Sequence, residues 1–244
     1  MSSIRQWIRH TRLGGQVLAI LPLTAGLDAN ARGQAPPPPN YNPPAVFSNP
    51  TAVTNPYLPY GTVKQDVLTG TEGGKTARVV RTRLPGTRSF TVNGQAVQTI
   101  IMADSAFAGG QLVEVALDYY AQSDAGDVYY FGEDVNNYRD GHVANHDGSW
   151  LYGVHTDKLG IMFPATPKIG QRYRSEDVAR ITREDDEVVS VSESVTVPAG
   201  TYRNCVKVQE TLSDGDVEFK VYCPGMGIVQ ESTVDGKTDL QSHT

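Results

Sequence analysis

Hydrophobic and polar residues alternate along most of the chain from Tyr60 onward, with a period of two. In the run from Val113 to Gln122 the odd positions carry Val, Val, Leu, Tyr and Ala, and the even ones Glu, Ala, Asp, Tyr and Gln. That spacing predicts a strand with one dry and one wet face. A second run, Val128 to Val135, follows Asp124-Ala125-Gly126, and a three-residue loop ending in Gly is a common hairpin connection. Pairing Ser123 with Asp127 sets Tyr120 against Tyr130, Tyr119 against Phe131 and Val115 against Val135, the register that keeps apolar residues together. It also sets Glu133 opposite Leu117 on the apolar face, where a carboxylate keeps its proton or needs a partner. Asp118 then falls on the opposite face from Glu133.

Similar runs predict strands at 61–69, 76–84, 95–104, 138–145, 149–154, 171–175, 178–183, 188–197, 205–212, 217–223 and 227–233. Turn-forming pairs such as Asn93-Gly94, Asp140-Gly141, Asp147-Gly148, Asp214-Gly215 and Asp235-Gly236 punctuate them. No segment holds helical periodicity over three turns. The expected fold class is all-β, an antiparallel meander forming a sandwich or half-open barrel. The apolar segment from Leu159 to Gly170 is broken by Pro164 and Pro167. It is expected to be a covering loop across one open side of the sheet, because Pro cannot donate to a ladder.

The pattern changes before Tyr60. Residues 1–15 carry Arg5, Arg9 and Arg12 without an acid, residues 16–27 are mostly apolar, and Ala29-Asn30-Ala31 has the small-x-small form of a signal-peptidase site. Residues 1–31 therefore read as a signal peptide and the protein as exported, periplasmic or extracellular. The apolar run is shorter than the ~20 residues of a spanning helix, and no membrane span is expected after cleavage. Residues 32–59 are rich in proline and read as a semi-rigid linker. Residues 60–244 are one all-β domain. Cleavage removes three of 21 basic and one of 27 acidic residues, leaving a net charge near minus eight. Such a balance argues against nucleic acid and against docking on anionic lipid.

Several stretches together resemble a group of secreted bacterial β-rich domains of uncharacterised function. They are Tyr119-Tyr120-Ala121-Gln122, Val128-Tyr129-Tyr130-Phe131-Gly132-Glu133, Gly148-Ser149-Trp150, Gly160-Ile161-Met162-Phe163-Pro164-Ala165, Val197-Pro198-Ala199-Gly200-Thr201-Tyr202 and Pro224-Gly225-Met226-Gly227-Ile228-Val229. The last two also resemble the end of several envelope lipoprotein domains. The resemblance spans about Asn55 to Asp235, with Tyr129 where the group carries Trp and Cys223 where it carries a small residue. It implies a β-rich architecture and an exported address, and no particular activity.

Cys205 and Cys223 flank one hairpin of an exported chain, which suggests a disulfide. A two-residue turn at Asp214-Gly215 pairs Val206 with Cys223 and turns the two sulfurs to opposite faces. A three-residue turn brings them directly across, but sets Glu210 against Glu218 and Lys207 against Val221. The two registers remain open at this level.

Chemistry concentrates around the first hairpin. Tyr119, Tyr120, Tyr129, Tyr130, Phe131, Glu133 and Trp150 are the candidate ligand-binding residues, read either as cross-strand packing or as the lining of a pocket for an apolar or amphiphilic molecule. Asp134, Asp140, His142 and His146 are the nearest approach to a metal-ligand set, and they follow no established ligand spacing. Asp118 and Glu133 would be a two-carboxylate pair only if they shared a face. Neither a Gly-x-Ser-x-Gly elbow nor a Cys and His arrangement is present, no motif calls for a cofactor, and no catalytic residue is assigned. The sequence thus predicts a non-catalytic exported domain binding a small apolar ligand or an envelope component. The alternatives are a structural or interaction module of the envelope or extracellular matrix, and a hydrolase using Glu133 with His142 or His155.

Overall fold

The computed structural model describes residues 45–244, so the predicted signal peptide and the first part of the linker lie outside the described residues. The strands are β1 (Gln65–Glu72), β2 (Lys75–Val92), β3 (Gln95–Ala108), β4 (Gln111–Gln122), β5 (Val128–Arg139), β6 (His142–Asn145), β7 (Trp150–Leu151), β8 (Gly160–Phe163), β9 (Arg172–Val178), β10 (Thr182–Val197), β11 (Gly200–Leu212), β12 (Val217–Cys223), β13 (Gly227–Ser232) and β14 (Gly236–His243). They form one antiparallel meander in the order β6-β5-β4-β3-β2-β1-β14-β13-β12-β11-β10-β9, with β7 and β8 both paired to β5. Among the described residues no helix is long and apolar enough to cross a membrane.

The sheet is open along its hydrogen-bonded path, but its two ends meet. β8 pairs β5 and packs against β9, and a Cβ at Gly160 would lie 1.7 Å from the carbonyl oxygen of Ser175. Only glycine permits that approach. Across the same seam Trp150 Nε1 donates to Glu176 Oε1 at 3.2 Å. The expected covering loop thus begins as a short strand, Gly160–Phe163, and becomes a loop only from Pro164 onward, where the prolines interrupt the ladder. The strand β14 has no counterpart among the predicted strands, because Lys237, Thr238, Asp239, Gln241 and Ser242 leave it too polar to register as alternation.

Residues 45–59 are seated on the domain. Val53 and Leu58 are buried, Asp124 accepts from Ser48 N at 2.8 Å, and Gln122 Oε1 accepts from Thr54 N and Asn55 N at 2.8 Å each. Asn55 Nδ2 donates to the carbonyls of Gly126 and Pro164. This part of the proline-rich stretch bonds turn backbones with its few polar groups and adds its apolar groups to the core, so it does not stand off as a spacer.

The two cysteines are bonded. The three-residue turn prevails: Glu210 pairs with Glu218 and Lys207 with Val221, and Leu212 N donates to Asp216 O to close the loop. The opposed glutamates are tolerated because Lys220 Nζ lies 2.5 Å from Glu210 Oε2. A bond closing a loop of this length contributes ~3 kcal/mol.

Candidate functional site

The predicted hairpin forms and its register holds next to the turn, with Tyr120 opposite Tyr130 and Ala121 opposite Tyr129. It then shifts by one. Gly132 adopts φ 122 and a Cβ there would stand 2.2 Å from the carbonyl oxygen of Trp150, so this position is a bulge only glycine can occupy with β7 in place. Beyond it Asp118 pairs with Glu133, Leu117 with Asp134 and Val115 with Asn136. The expectations that Glu133 opposes Leu117, that Val115 opposes Val135 and that Asp118 lies on the other face from Glu133 are therefore corrected. Judging register by apolar pairing alone allowed no extra residue on one strand.

The bulge divides the candidate residues between two faces. Tyr119, Tyr129 and Phe131 belong to an outer cluster. Phe47 packs at 5.5 Å from Tyr129 and 5.8 Å from Phe131, and Phe90 packs at 5.7 Å from Tyr119 and 5.2 Å from Phe131. Arg88 lies 4.6 Å over the Tyr119 ring, and the Tyr119 hydroxyl donates to Asp134 at 2.6 Å. These rings are covered, and this is packing.

Tyr120, Tyr130, Glu133 and Trp150 face inward. Tyr120 and Tyr130 stack at 4.9 Å, Tyr60 lies 5.3 Å from Tyr120, and Trp150 meets Tyr130 edge-on at 5.2 Å. Beside them runs a row of buried carboxylates that cross-strand pairing brings onto the same face. Asp66, Arg81 and Asp104 are successive partners across β1, β2 and β3, and Asp118 and Glu133 are partners across β4 and β5. Glu231 and Lys220 pair across β13 and β12, and Glu218, Glu210 and Asp186 across β12, β11 and β10. Sequence reasoning missed all of this row except Asp118 and Glu133. The signal that could have found it is a charged residue in period-two step with inward apolar ones, as Arg81 is with Ala77 and Val79, Asp104 with Ile100 and Met102, and Glu210 with Val206 and Val208.

Counter-charge is unevenly supplied. Arg81 Nε donates to Asp104 at 2.8 Å and its Nη2 to Glu231 at 2.8 Å. Asp118 instead accepts from the Tyr130 hydroxyl at 2.9 Å, and Glu133 Oε2 has no hydrogen-bond partner among the described residues. The Tyr120 and Tyr173 hydroxyls, Glu218 Oε2 and Arg81 Nη1 are likewise buried without one there. Burial, with the charge of Asp104 adding to it, pushes Asp118 up to about 6. Burial pushes Glu133 well above the ordinary carboxylate range, reinforced by Glu176, Asp118 and Glu114. Glu184 rises to about 7 by burial, helped by Glu176 and Glu210. Glu218 rises to about 8 for the same first reason, with Lys220 only partly offsetting it. Glu231 is the exception: Arg81 and Lys220 overcome its burial and hold it low.

The other predicted residues do not converge. Asp134 is engaged by Arg88 and Tyr119, Asp140 occupies a turn at φ 51, His142 is exposed on the edge strand β6, and His146 Nδ1 bonds the carbonyl of Val135. Among the described residues no group of three or more His, Cys, Asp or Glu could hold a metal ion. His155 is exposed and accepts from Leu151 N, so neither it nor His142 joins Glu133 on the inner face. A groove of about 530 Å³ lies elsewhere, lined by Thr69, Gly70, Ala77, Arg78 and Phe107 among others. No protein-family model, curated protein or solved structure matches the chain.

Proposed function

We propose that the protein is an exported, non-catalytic binding protein that takes a small amphiphilic molecule against the inner face of its curled sheet, beside Tyr120, Tyr130, Trp150 and Glu133. The observation that carries this reading is the pair of inward polar atoms without partners among the described residues, Tyr120 Oη and Glu133 Oε2, beside the stacked rings of Tyr120 and Tyr130. Buried polar groups are ordinarily satisfied, and leaving one unmade costs ~1–3 kcal/mol. A ligand with both apolar and polar parts satisfies those atoms and the rings together. The Cys205–Cys223 disulfide supports an oxidising, exported setting.

A structural module of the envelope is the second reading, favoured by the complete burial of the outer rings under Phe47 and Phe90. Tyr120→Phe separates the two, since it deletes one unpartnered hydroxyl and keeps the ring. The binding reading expects unchanged or slightly raised stability, together with loss of a small organic molecule retained by the wild-type protein in native mass spectrometry. A wild-type protein of bare protomer mass, whatever the exported fraction it is purified from, overturns it.

A further inference from the structure

We infer that the ligand carries a primary ammonium group, held between Asp118, Glu133 and the Tyr120 hydroxyl on the inner face; this rests on the binding reading above. Asp118 and Glu133 are direct cross-strand partners, 2% and 1% exposed. The cation nearest along their row, Arg81, already commits two of its nitrogens to Asp104 and Glu231. Two buried carboxylates side by side are costly unless a proton or a cation joins them.

Once Glu133 gives up its proton its Oε2 accepts only, and the Tyr120 oxygen offers a lone pair besides its own O–H. Among the described residues the side-chain donor to Asp118 is the Tyr130 hydroxyl. A ligand that joins the two ionised carboxylates brings donors, and a primary ammonium brings three from one compact centre. Charge-assisted bonds of this type are about twice as strong as neutral ones. The stacked faces of Tyr120 and Tyr130 add the aromatic wall that attracts an organic cation and disfavours a hydrated metal ion. Next along the face lie apolar side chains, with Ile100 opposite Tyr120 and Met102 opposite Asp118, where an alkyl portion would lie.

The test is isothermal titration calorimetry of the whole protein with three probes of equal chain length: octylammonium, octyl glucoside and octanoate. Octylammonium is expected to bind at least about tenfold tighter than octyl glucoside, and octanoate more weakly than either. Glu133→Gln is expected to erase about tenfold of the octylammonium affinity and to leave octyl glucoside within about twofold. Tyr120→Phe, which keeps the ring, is expected to weaken octylammonium selectively and stands in should Glu133→Gln misfold. Equal binding of octylammonium and octyl glucoside overturns the ammonium inference while the amphiphile reading survives. Tighter binding of octanoate also overturns it. Binding of none of the three overturns both.

Discussion

Two groups of buried acids sit on the same face of the same sheet and are built differently. On β2, β3 and β13, Arg81 stands between Asp104 and Glu231, within 2.8 Å of each. On β4 and β5, Asp118 and Glu133 face one another with hydroxyl groups and rings around them, and one carboxylate oxygen is left unmet among the described residues. The first group carries its own cation, which holds Glu231 low although burial still raises Asp104. The second is open, and what completes it must be a proton or a ligand. Buried acids alone therefore do not mark a site; the mark is a missing donor where the backbone departs from regular pairing to place the acid. That departure is the bulge at Gly132, without which Glu133 would face the other way.

The largest effect is expected from breaking the closed group. Arg81→Met leaves Asp104 and Glu231 buried without their cation and should lower unfolding free energy by ~3–5 kcal/mol in urea titrations. Gly132→Ala attacks the open group through its backbone. With a positive φ and the Trp150 carbonyl 2.2 Å away, it should cost at least ~3 kcal/mol and change the near-ultraviolet dichroism of the Tyr and Trp cluster.

The raised buried carboxylates should also be visible in the pH dependence of stability. Asp118, Glu184 and Glu218 have native values raised to about 6, 7 and 8, so the native state binds more protons than the unfolded chain. Their contribution is complete below the ordinary carboxylate value and is lost as pH rises toward about 8. Urea midpoints should therefore rise as pH falls from 8 to 5, against the usual acid lability. Only below that window do depressed groups such as Glu231 reverse the trend. Glu133→Gln should stabilise the protein at pH 8 by ~1 kcal/mol, because it removes a carboxyl whose ionisation favours unfolding. The smallest effect belongs to the outer face. Arg88→Ala breaks a half-exposed pair with Asp134 and should cost no more than ~1 kcal/mol by the same titration.

Most of the strands could be read from the chain, because period-two alternation and Gly-containing turns act locally. The strand β14 could not, since its outward residues and several of its inward ones are polar. Register was legible only as far as local rules reach. Tyr120 against Tyr130 followed from the turn, but the shift at Gly132 depends on β7 approaching from elsewhere in the chain. The β11–β12 register failed the apolar-face test for another reason. Glu210, Glu218 and Lys220 belong to a polar inner row, and their mutual compensation is a tertiary property that no alternation in one strand reveals. The candidate site was half legible: Tyr120, Tyr130, Glu133 and Trp150 converge, while Tyr119, Tyr129 and Phe131 pack on the far side.

Carbon-13 NMR of the side-chain carboxyl carbons of Asp118 and Glu133, titrated with pH in the ligand-free protein, tests the central contrast most directly. The expected result is an Asp118 midpoint near 6 and a Glu133 carboxyl that titrates well above the ordinary carboxylate range, while Glu231 in the Arg81 group titrates below its ordinary value. Asp118 and Glu133 both titrating in the ordinary range near ~4 would contradict the account, since the inner face would then be neither dry nor short of positive charge.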